Sequence, residues 1–219
     1  MPNTRPDTGA NLGESAIDAA LRTLASHHAS VVLADGTPTP VRIILARARP
    51  MLVASVHPTI VDAAELVVFI PEETNDAMQL LVSARELDHA DMSQQDRYLA
   101  YHSRAESSDW IAADIDACRW EGEVFDQDDL AAAMNGPGRM LADEPALLRN
   151  VNGDASIGIA LATQAGLRDV DHAVVVGVDP WGVDVRAGTH LRRVEFESPV
   201  HDADAALHSM KSIAGVSEQ

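Results

Sequence analysis

The run VGVDPWGVDVRAG at residues 176–188, followed by LRRVEFESPVHDADAALHSM at 191–210, decides how this chain folds. An aliphatic stretch, DHAVVVGVD from residue 171, ends at the turn signal DPWG. VDVRA and LRRVEFE follow as two more strands, and Asp202 then opens a helix that runs to about residue 214. Upstream, residues 144–166 carry helical spacing. The predicted order is helix, three antiparallel strands, helix.

Working outward, residues 126–145 turn polar and breaker-rich around MNGPGRM, the clearest boundary in the sequence. Before it, Ser15 caps a helix that sets Ile17, Ala20, Leu21, Leu24 and Ala25 on one face and closes near His27 and His28, where a cation would complement the carbonyl dipole. SVVLA, PVRIILARA and PMLVASV then read as three strands of a meander, separated by Asp, Gly and Pro. ELVVFI at 65–70 and QLLVSARELD at 79–88 extend the sheet. A helix places Tyr98, Leu99 and His102 together, and WIAADIDACRWEGEVF alternates as a half-buried strand. Five or six strands with two helices make a small barrel. The expected organisation is an arm at 1–14, a barrel at 15–135 and a small α/β unit at 136–219, with an α+β fold class.

Apolar residues make up 46% of the 219, enough for a sizeable core. Sixteen Lys and Arg against 34 Asp and Glu give a net charge of −18, a field that repels phosphate backbones and anionic lipid, so neither nucleic acid nor membrane is an expected partner. One cysteine, Cys118, excludes an internal disulfide and reads as a buried structural thiol; together with an amino-terminal stretch lacking a signal-peptide core, it predicts a cytoplasmic protein.

The quoted stretch resembles the small domain that accompanies heme-utilisation split barrels, whose barrel is similar to that of pyridoxamine-phosphate oxidases. The matching positions are Asp179, Gly182, Arg186, Ala187, Gly188, Arg192, Arg193, Phe196, Pro199 and Val200. The lead-in LADEPALLRNVNGD fits the same family, although Asn150 and Ala155 replace the two His of its His-x-Asn-x-Asp-His signature, leaving Asn152 and Asp154. The resemblance implies an FMN-binding-like split β-barrel followed by a small α-β-β-β-α domain. It further implies a homodimer that holds heme in a cleft at the barrel interface, as buffer, carrier or sensor, without efficient degradation. It leaves two alternatives: a flavin-dependent oxidoreductase using FMN, and a ligand-free regulatory adaptor similar to the protein that binds glutamyl-tRNA reductase.

A heme site needs an apolar cleft, cations for the propionates and commonly an axial ligand. The candidates are His57 as iron ligand, Thr59 beside it, Arg42 and Arg47 as anion partners, and His102 as a second imidazole. Each has a plainer reading. His57 precedes a Pro and can be a turn residue; His102 can pack on a helix face; Arg42, Arg47 and Arg49, split between strand faces, can be solvated or interfacial. Asp114, Asp116, Asp126, Asp128 and Asp129 read as strand-edge charge and helix-start charge, and Trp181 as packing on the small unit's core.

Overall fold

A computed structural model describes residues 15–25, 27–32, 38–47, 49–56, 66–74, 76–136 and 143–216. Its first half is an antiparallel sheet with the strand order β2-β1-β5-β6-β7-β4-β3, with β8 paired to β7. The strands are β1 (His28–Val32), β2 (Pro38–Arg42), β3 (Ile44–Leu45), β4 (Met51–Ser55), β5 (Leu66–Ile70), β6 (Met78–Glu86), β7 (Trp110–Trp120) and β8 (Glu123–Asp126). The two ends of this order, β2 and β3, are consecutive pieces of one segment broken only at Ile43. One segment thus pairs with β1 at its start and with β4 at its end, and the sheet curls into a half-barrel. The segment expected as one strand is therefore two, because closing the sheet requires it to change partners.

The break at Ile43 is held by polar groups on both sides. Its N–H donates to the His27 carbonyl at 3.1 Å, and its carbonyl accepts from His102 Nε2 at 3.0 Å. Inside the barrel, alternate residues such as Val31, Val68, Leu80, Val82 and Ile115 form the main core. Helix α1 (Ala16–Leu24), capped by Ser15, lays Ala20, Leu21 and Leu24 on one end of it. Helix α3 (Gln127–Met134) adds Leu130 and Met134, and its start is a capping box in which Asp126 and Asp129 bond each other's backbone N–H. Between β7 and β8 the turn residues Glu121 and Gly122 have φ of 49° and 90°, the primed-turn geometry that suits a tight hairpin.

The second unit contains α4 (Glu144–Asn152), α5 (Ala155–Gln164), the sheet β11-β10-β9 and α6 (Ala203–Ile213). Its strands are β9 (Val174–Asp179), β10 (Gly182–Ala187) and β11 (His190–Glu195). Where one lead-in helix is expected, the chain makes two. The side chain of Asn152, the last residue of α4, donates to the Val175 carbonyl at 2.8 Å and accepts from its N–H at 2.9 Å, and Asp154 caps α5 through the Ser156 N–H. Asn152 and Asp154 thus hold the helix pair and fasten it to β9.

Helix α2 (Met92–His102) lies between the units. Tyr98, Tyr101 and His102, at i, i+3 and i+4, form its buried face, and a joint cluster unites Ile44, Met51, Val53, Tyr98 and Tyr101 with Val176 of β9. Trp181 packs against the barrel core rather than the small unit's own, so the β9–β10 turn is a second clasp. The resulting α+β architecture, a half-barrel followed by a three-stranded sheet with helices, agrees with the predicted fold class.

Candidate functional site

The sequence candidates separate into two neighbourhoods. Arg42, at the end of β2, is the cross-strand partner of His28 and lies 3.4 Å from Glu106. His102 lies behind them, its ring 6.3 Å from that of His28 and 4.4 Å from that of Tyr98. Arg47 points elsewhere, to Glu144 of α4. His57 and Thr59 lie outside the described residues.

His102 lines none of the three cavities described below. A carbonyl can only accept, so its Nε2 carries the hydrogen bonded to Ile43. Burial above all, and then the neighbouring His27, Arg42 and His28, push its pKa down to about 4. A histidine that protonates less readily folded than unfolded makes the fold weaker in acid. Its stabilisation is whole above pH 6.5 and drains away as pH falls toward 4. Between pH 7 and pH 5 this amounts to about 2 kcal/mol. Urea unfolding at both pH values is expected to show that loss in the native chain and not in His102→Gln, which keeps a donor for Ile43. Equal losses in the two proteins would remove His102 from the account.

The prominent polar feature is a chain of charges where α2, α4 and the small sheet meet. Glu144, 2% exposed, accepts from Arg97 Nη1 at 3.0 and 3.2 Å, from the Val178 N–H at 3.3 Å and from Arg47 Nε. The Tyr101 hydroxyl lies 3.3 Å from Arg97 Nη2 and 3.4 Å from Asp184 Oδ2. Arg193 reaches Asp184 at 3.2 Å and also Asp179. Burial raises the carboxyl pKa of Asp184, but the His27 and Arg193 partners outweigh it and hold the group below its ordinary value. At Asp179 burial wins and the pKa rises despite Arg193. His27 is thus not a helix cap as expected: α1 ends at Leu24, and His27 Nε2 sits 3.4 Å from Asp184 Oδ2 with its ring 4.4 Å from Tyr101. His28 opens β1 instead.

Two cavities flank this chain. One, of about 100 Å³, is lined by apolar Leu21, Ile44, Met134 and Trp181 and by the charged Arg47, Arg97, Glu144, Asp179 and Asp184. The second is an open cleft of about 710 Å³ between the end of α1, the start of β1, the Ile70–Pro71 turn and β11. Arg22, Arg192 and Arg193 and the imidazoles of His27 and His28 line it, with Ile70, Pro71 and Leu191 as apolar wall. His28 is exposed there, and its pKa is lowered by dehydration first and by His27 and Arg42 next, so the neutral imidazole is favoured. A third cavity, of about 30 Å³, is the apolar barrel interior.

Other candidates take structural places. Asp114 pairs with Arg85 at 3.1 Å and Asp116 accepts from Ser83 at 2.7 Å, so no two of these acids form an acid–base pair with each other. Cys118 is fully buried and its thiol is pushed up to about 12 by burial, as expected of a structural thiol. His190, His201 and His208 are exposed. Among the described residues no group of three or more His, Cys, Asp and Glu side chains could hold a metal ion, and no helix is long and apolar enough to cross a membrane.

No family model matches the sequence, and no curated protein does. Among solved structures, a protein of unknown function from Agrobacterium tumefaciens shares the fold over nearly the whole chain. It is 17% identical, with a TM-score of 0.60, over 98% of this chain and 99% of that one. A heme-binding protein from Mycobacterium smegmatis, 18% identical, aligns with a TM-score of 0.42 over 92% of this chain and 97% of its own. A protein from Listeria innocua provisionally named a pyridoxamine 5'-phosphate oxidase covers 50% of this chain and 100% of its own, at 10% identity and a TM-score of 0.37.

Proposed function

We propose that this chain binds heme in the open cleft and works as a homodimer that buffers, carries or senses it. The observation that carries the reading is the cleft's lining. Three guanidiniums and two imidazoles, against the two carboxylates of Asp184 and Glu195, converge on one space of about 710 Å³ in a chain of net charge −18. That volume lies within the roughly 300–1,000 Å³ of small-molecule sites. Each requirement of the group meets a residue type here. Arg22 and Arg192 match propionates, while Arg193 is held by Asp184 and Asp179; Ile70, Pro71 and Leu191 supply apolar wall, and the exposed His28 offers an imidazole. Bound there, heme would contribute an iron centre for ligand binding or redox chemistry. The chain's own task is to grip the carboxylates and present the imidazole. The homodimer part of the reading is supported by an unpaired apolar row on the barrel's outer face. Val67 and Leu81, direct cross-strand neighbours, are 39% and 40% exposed.

Hemin titration tests this. A stoichiometric Soret band is expected, with a shifted band and about tenfold weaker binding in His28→Ala, in a particle twice 23.4 kDa by light scattering. His57→Ala runs in parallel: a change there and none in His28→Ala would move the ligand to residue 57. Uptake of FMN with no response to hemin would favour the flavin enzyme, and indifference to both would leave the adaptor.

A further inference from the structure

We propose that the half-open cavity between barrel and small unit is a separate site for a small uncharged alcohol, its hydroxyl on Arg97 and His27 and its alkyl part against Leu21, Ile44, Met134 and Trp181. The charges of the lining set the first half of this assignment. Arg47 and Arg97 share the cavity with Glu144, Asp179 and Asp184, and a third guanidinium, Arg193, holds both aspartates. Three positive groups thus meet three negative ones. An added charge of either sign would enter a balanced, largely buried network with no counter-charge to receive it.

Hydrogen-bonding capacity sets the second half. Glu144 accepts through both carboxylate oxygens, from Arg47, Arg97 and the Val178 N–H, and Asp184 accepts through both of its own, from Arg193 and Tyr101. Two atoms of lining residues, Arg97 Nε and His27 Nδ1, are buried with no hydrogen-bond partner. A guanidinium Nε–H can only donate. In the neutral imidazole whose Nε2–H faces Asp184, 3.4 Å away, Nδ1 can only accept. A hydroxyl answers both atoms, whereas a ketone would serve Arg97 alone. The two groups belong to one small neighbourhood, because both lie against the Tyr101 ring, Arg97 at 5.2 Å and His27 at 4.4 Å from its centroid. The volume of about 100 Å³ compares with the roughly 150 Å³ of a cavity that holds benzene, and leaves room for about five heavy atoms. Water would satisfy the two nitrogens but gain nothing from the Leu21–Trp181 wall.

The probe is 2-butanol. In 2-methylbutane a methyl group replaces its hydroxyl, and sec-butylamine and propionate bring a positive and a negative charge at similar size. Ligand-observed NMR and the indole N–H resonance of Trp181 report occupancy of the full-length chain. Saturable 2-butanol binding is expected, about fivefold or more tighter than that of the other three compounds. Ala25→Leu narrows the cavity and is expected to abolish it. His27→Phe keeps a ring on Tyr101 and removes Nδ1, so it is expected to weaken 2-butanol about fivefold while leaving 2-methylbutane unchanged. Uptake of 2-butanol without saturation, equal binding of the alkane or of either charged compound, or an unmoved Trp181 resonance would each overturn the proposal. The readout is independent of hemin, so the heme reading and this one can fail separately.

Discussion

Glu144→Ala is expected to lower folding stability by about 3–5 kcal/mol, a large part of the 5–15 kcal/mol typical of a folded domain. The carboxylate is 2% exposed and is the meeting point of Arg47, Arg97 and the Val178 N–H. Removing it leaves the Arg97 guanidinium, 17% exposed, facing Arg47 with no negative group between them. The loss is not the worth of the ion pair, since making the pair already required dehydrating both partners. It is the cost of one charge left buried alone. Glu144→Gln keeps acceptor oxygen for one arginine and the Val178 N–H, and is expected to lose clearly less. Urea midpoints with unchanged slopes read both numbers. A Glu144→Ala chain within 1 kcal/mol of the native one would mean that water reaches this network freely and that it does not bind the two units together.

That network was invisible in the sequence, and the reason is physical. Arg47, Arg97, Glu144, Asp184 and Arg193 have no mutual spacing that a helix or strand would give; only the docking of α2 against β9 and α4 brings them together. What could be read was local. Ser15 and Asp126 cap helices because their side chains reach backbone N–H groups three residues on, and β9 to β11 are delimited by Asp179, Gly182 and Gly188. The errors share one cause. Helical periodicity runs through residues 144–166, yet α4 stops at Asn152, whose side chain bonds a strand 23 residues away. His27 lies where a helix dipole would hold it, yet Asp184 is its neighbour. Trp181 sits in the small unit's turn and packs on the barrel. In each case a contact distant in sequence outweighed a local preference worth under about 1 kcal/mol. Of the site candidates, Arg42 lies opposite an imidazole that sequence reasoning did not single out, that of His28. The signal that could have found His28 is its position opposite Arg42 in the first hairpin, which requires the register to be known.

Gly177→Ala is expected to be about as damaging, near 4 kcal/mol, although it adds a single methyl group to a strand. A Cβ at this position would stand 1.7 Å from the Tyr101 hydroxyl oxygen and 2.8 Å from the ring carbon that bears it. Neither atom can yield locally, since Tyr101 is 3% exposed and lies among Ile44, Ala46 and Val176. The ring must leave its place, and with it go the hydroxyl contacts to Arg97 and Asp184 and the packing of His27 on the ring face. The methyl therefore acts first as overpacking and then as the loss of a buried polar link between two charges. A second substitution separates these parts. Tyr101→Leu on its own forfeits the link and some packing; in combination with Gly177→Ala it removes the clash, so the double variant is expected to be more stable than Gly177→Ala alone, a coupling of at least 1 kcal/mol between neighbours. Thermal and urea unfolding of the four proteins measure it. Strictly additive losses would show that Tyr101 has room to swing aside, and the close seating of α2 on β9, which aligns the arginines with their carboxylates, would then have to be abandoned.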